Sequence, residues 1–131
     1  MRFPPKTLQV TFLDVGQGDG ALIEFPEGAT MLVDAGMDKP IDIGRAVIAP
    51  FLWEKKIRAI DYLVGTHPQS DHMGGFASLL RKFRIGTVLT NGMTSPRPFY
   101  QSFLEIVREQ RIPLREVSRA DSPMMIDGCS I

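Results

Sequence analysis

Hydrophobic positions in this chain come first as short unbroken runs and only later as spaced stripes. The runs "LQVTFLDV" and "ALIEF" flank "GQGDG", whose glycines accept the backbone angles of a tight connection, so the opening reads as a strand hairpin. After the turn residues "PEG", the segment "ATMLVDAG" reads as a third buried strand that stops at Asp34 and a glycine. Pro50 suits the first turn of a helix, which places a short helix over "PFLWEKK", with "RAVIA" as its approach and Trp53 as a core anchor. The run "AIDYLV" carries Asp61 but no polar alternation, and this predicts a strand covered on both faces.

Past the glycines at 74 and 75 the period changes. Phe76, Leu79, Leu80 and Phe83 fall at the spacing of one helical stripe, and Tyr100, Phe103, Leu104 and Val107 repeat it behind Pro98, where a helix can begin. "TVLT" and "IPLREV" are further strand candidates. Strands followed by alternating helices and strands define an α/β layered fold. The tail "SRADSPMMIDGCSI" adds turn residues and a last apolar hint without a helix or cap signal. There is no internal repeat or low-complexity tract.

Composition narrows this picture in three ways. A length of 131 residues fits one packed unit. Fifteen basic side chains balance fifteen acidic ones, so net charge gives no sign of a polyanionic partner, and any nucleic-acid contact has to be local. Arg81, Lys82 and Arg84, and the set Arg108, Arg111, Arg115 and Arg119, could follow a phosphate backbone, but acidic residues are interleaved and a solvated face is the plainer reading. The single Cys129 excludes an intrachain disulfide, and neither a secretion signal nor a membrane-spanning run is present in these residues.

Chemistry concentrates in "HPQSDH", residues 67 to 72. Both histidines of the chain, His67 and His72, lie in this window together with Asp71. The window leaves the end of a buried strand and precedes a helix, where open α/β sheets build their sites. Two imidazoles and a carboxylate offer nitrogen and oxygen donors to a divalent ion. The bland alternative is a pair of surface or hydrogen-bonded histidines, and spacing alone does not decide between them.

An aliphatic strand ending in Thr-His, followed by "PQSDHMGG", resembles the signature of the metallo-β-lactamase fold. Upstream, "VTFLDVGQGDGALIEFPEGATMLVDAG" is similar to the opening of that fold in ComEC-type competence proteins, and the two motifs together cover residues 8 to 75 in the family's order. The resemblance implies an αββα sandwich and a metallohydrolase with two divalent ions, zinc or manganese. It assigns His67 to one metal, Asp71 and His72 to the other, and to Asp71 a catalytic role in orienting water. Asp34 would support the histidines by hydrogen bonds. Asp14 belongs, with Gln17 and Asp19, to a second stretch near the site, and could equally be a turn residue bonding its own backbone.

Two departures stand out. Gln69 occupies the position of a second ligand to the first metal, and a neutral amide is a weak donor that brings no charge. No histidine follows His72, so residues 1 to 131 are expected to be roughly the first half of such a domain. With His67, Asp71 and His72 as its only ligands, the chain is expected to hold no metal tightly. By resemblance the intact protein would be a phosphodiesterase or nuclease acting on DNA during competence-related uptake, with single-stranded DNA as its partner. It would be an extracytoplasmic domain of a bacterial inner-membrane protein, joined to a transmembrane channel domain of the same polypeptide. The alternatives are a catalytically degenerate structural or DNA-guiding module and a hydrolase like the phosphorylcholine esterases.

Overall fold

The computed structural model describes residues 2–131. Six strands form one mixed sheet in the order β1 (Gln9–Phe12), β2 (Ala21–Glu24), β3 (Thr30–Val33), β4 (Ala59–Gly65), β5 (Arg84–Thr90) and β6 (Leu114–Glu116). The first three are joined as antiparallel hairpins and the last four run parallel. Parallel neighbours need crossovers, and three right-handed ones leading the same way put every crossover helix on one face. Those helices are α1 (Ala49–Glu54), α2 (Ser70–Met73), α3 (Phe76–Lys82) and α4 (Pro98–Glu109). The α/β expectation is met by this mixed sheet with flanking helices.

The helix-covered face is dry. Leu22, Leu32, Leu63 and Val88 pair in register across four strands and are all fully buried. Each such side chain stabilises the fold by roughly 1.5–3 kcal/mol relative to exposure. Phe76, Leu79 and Leu80 of α3 and Tyr100, Phe103, Ile106 and Val107 of α4 close over this row, as the two helical stripes require. Leu104 is only half-buried, and Ile106 takes the inner position instead.

The other face differs from expectation. "AIDYLV" is covered on one side only: Tyr62 and Val64 point away from the helices and are half-buried. There a small hairpin, β7 (Met125–Ile126) and β8 (Cys129–Ser130), packs against Phe25 and Met31. Its turn residues Asp127 and Gly128 both have positive φ, and Asp127 also accepts the backbone N–H groups of Glu27 and Ala29. Beside the hairpin lies an apolar groove of about 440 Å³ lined in part by Ile23, Val33, Val64 and Leu89.

Two further expectations are corrected. "RAVI" is no loose approach, because Gly44–Ile48 forms a π-helical turn that runs straight into α1. Trp53 is 48% exposed and stacks on Phe83 at 5.5 Å from outside, since α1 turns its Leu52 and Ala49 inward. Among the described residues no helix is long and apolar enough to cross a membrane.

Candidate metal centre

Strands β3 and β4 run parallel and end together, so the residues that follow them meet at one edge of the sheet. Asp34 directly follows β3 with φ of 59°, a left-handed conformation that aspartate tolerates better than most residues. Its carboxylate is 2% exposed, and its hydrogen-bond partners are all donors. Oδ1 accepts the Thr66 N–H at 2.9 Å, while Oδ2 accepts the Thr66 hydroxyl at 2.5 Å and meets His72 Nδ1 at 2.9 Å. The backbone grips the same segment: Ala35 N–H donates to the His72 carbonyl at 2.7 Å, and Gly75 N–H to Gly36.

Asp71 and His72 lie inside α2 and not on a loop before a helix, because the Gln69 carbonyl accepts from His72 and Met73 and starts the turn. His72 is therefore fixed at both its backbone and its ring. A neutral imidazole that donates from Nδ1 to Asp34 leaves its Nε2 lone pair free, and that nitrogen stands 3.7 Å from Asp71 Oδ1. Burial pushes the His72 pKa down, but the Asp34 hydrogen bond and the charges of Asp34, Asp71 and Asp19 outweigh it, and the net shift is upward from 6.5.

His67 is brought to the same place without being held there. Its ring centre lies 5.3 Å from that of His72, the side chain is exposed, and Nδ1 reaches the Thr66 hydroxyl at 3.2 Å. Gln69 is exposed. Asp14 is exposed as well and accepts the N–H of Gly16 at 3.3 Å, the local bond of a turn aspartate. A cleft of about 500 Å³ joins Asp19, Asp34, Thr66, His67 and His72 to an apolar wall of Phe12, Ala21 and Val33.

Asp19, from the stretch that the family resemblance places near the site, stands beside the same imidazole. Its Oδ2 lies 3.3 Å from His72 Nδ1, and Asp19, Asp34 and His72 each bring a donor atom within 4.8 Å of the others. Three carboxylates thus surround one imidazole, at 2.9, 3.3 and 3.7 Å. The donors present, hard oxygens with imidazole nitrogen, fit zinc or manganese.

The chain matches the model of the metallo-beta-lactamase superfamily over residues 13–92, and it belongs to that superfamily. It is also 30% identical over 127 residues to ComE operon protein 3 of Bacillus subtilis (strain 168), a match covering 86% of this chain and 16% of that protein. The chain thus spans about one sixth of its relative's length.

Proposed function

We propose that the cleft at the end of β3 and β4 is the metal-carrying part of a phosphodiesterase that cleaves DNA during its uptake into bacteria. The observation that carries this reading is the buried Asp34 carboxylate, which orients His72 from behind while His67 and Asp71 stand on the ring's other sides. The similarity of both sequence motifs to competence proteins supplies the substrate class. His67, Asp71 and His72 would hold the ion, with Asp34 as their hydrogen-bonded support. When bound, a divalent ion supplies Lewis acidity toward a phosphoryl oxygen and makes water a nucleophile at neutral pH. Asp34 keeps the Nδ1 proton of His72 in place, so that Nε2 stays a lone-pair donor. Asp71, one-third exposed, would orient the attacking water.

Residues 1 to 131 make up the front part of the domain in this reading, and the groove lined by Ile23, Val33, Val64 and Leu89 is where a second layer would complete the sandwich. The whole protein would carry this domain on the extracytoplasmic side of the inner membrane, next to a channel domain that passes single-stranded DNA. A second reading, a structural or DNA-guiding module without catalysis, is favoured by the exposed Gln69 at a ligand position. Metal content and strand cleavage by the full-length protein separate them. Two tightly held equivalents, with Asp71→Asn abolishing cleavage of single-stranded DNA, support the enzyme. A metal-free protein that binds DNA intact supports the module, and release of phosphorylcholine without DNA cleavage would move the substrate class.

A further inference from the structure

We infer that Asp19, from the β1–β2 hairpin loop, supplies a further carboxylate ligand beside His72, one that spacing along the chain does not count. The inference rests on the metal-centre reading above and adds a donor to it. The loop that carries Asp19 is fastened at its backbone to both segments of the site. Asp19 N–H donates to the Asp71 carbonyl at 3.3 Å, and the Asp19 carbonyl accepts the N–H of Gly36, two residues beyond Asp34, at 3.0 Å.

Gly18 makes this contact possible. Its φ is +114°, and a Cβ there would stand 2.1 Å from the Asp71 carbonyl oxygen, well inside any tolerated approach. A side chain at this position would lift the loop off α2 and carry Asp19 away from His72. The Asp19 side chain is by contrast 70% exposed, with His72 Nδ1 at 3.3 Å as its partner. That nitrogen has one proton to give, and Asp34, closer at 2.9 Å, takes it. A carboxylate whose backbone is pinned and whose nearest donor is already engaged is placed to bind a cation.

Gln69 sits on the other side of the account. It is exposed, its carbonyl is used to start α2, and its amide brings no charge. Spacing along the chain counts His67, Asp71 and His72 as ligands, whereas in the folded chain the donor atoms within 4.8 Å of one another are those of Asp19, Asp34 and His72, with Asp19 coming from 53 residues upstream of His72.

The test is calorimetric titration of the full-length protein with Mn²⁺ and with Zn²⁺, combined with melting of its metal-free form. Asp19→Asn is expected to lower affinity about tenfold or more while leaving the metal-free melting temperature within about 2 °C of the parent. Asp19→Glu should recover part of the loss, and Gln69→Ala should stay within about twofold of the parent. Gly18→Ala should lose affinity like Asp19→Asn. Parent-like affinity in Asp19→Asn, with the parent binding normally, overturns the inference and leaves the metal centre standing. Lost affinity together with a large drop in metal-free stability assigns Asp19 a structural role and overturns it as well. A full-length parent protein that binds neither ion overturns the metal-centre reading itself.

Discussion

His67 and His72 leave the same strand with ring centres 5.3 Å apart, yet the fold treats them in opposite ways. His72 is tied through Nδ1 to a buried carboxylate and through its carbonyl to the exit of β3. His67 is exposed and reaches the Thr66 hydroxyl alone. One imidazole is positioned before any ligand arrives. The other must be ordered by what binds, which costs rotamer entropy of about 0.5–1.5 kcal/mol. The half of the site built on Asp34 is thus part of the folded core's edge, and the half built on His67 is an exposed side chain over the cleft.

The largest effect that sharpens this contrast comes from Asp34→Ala. It strips Thr66 and His72 of a buried acceptor, and chemical denaturation should show a loss of about 3 kcal/mol or more. His67→Ala should cost less than about 0.5 kcal/mol, and equal costs would break the comparison. Next comes metal affinity: His72→Ala should weaken zinc binding by about 100-fold, and His67→Ala by about tenfold, as read by competition with a chelating dye. Thr66→Val removes the hydroxyl shared by Asp34 and His67. It should destabilise the chain by about 1 kcal/mol in thermal melts while leaving the His72–Asp34 pair intact.

The smallest effect is in pH. The His72 pKa is raised in the folded chain, so its contribution to metal-free stability is complete below 6.5 and is lost as pH rises through the elevated folded value. Melting temperatures of the parent and His72→Gln should converge above that range and diverge below it. Convergence on the acid side instead would reverse the sign and remove Asp34 as the partner.

Much of this molecule was legible before its coordinates. The stripes at Phe76, Leu79, Leu80 and at Tyr100, Phe103, Val107 are readable because each helix buries a single face against the row from Leu22 to Val88. Trp53 misled because an apolar ring can cover a neighbour from the solvent side as well as fill a core. The half-open face of β4 was illegible, since an apolar run does not say on which side a covering layer lies. His67, Asp71 and His72 could be picked out by residue type and spacing, and Asp34 through the family resemblance. Asp19 could not, because its place depends on Gly18 resting against the Asp71 carbonyl, a contact between segments 53 residues apart. The resemblance of "DVGQGD" to a stretch near the site of related folds put Asp19 in the neighbourhood without giving it a ligand's place.

The most direct test of the central claim is the ring-nitrogen NMR of the two histidines as zinc is added to the chain. The account predicts that the His72 nitrogens shift on binding, that its pH titration disappears, and that Asp34→Asn abolishes both changes. His72 resonances that stay in place and keep titrating at saturating zinc would contradict it.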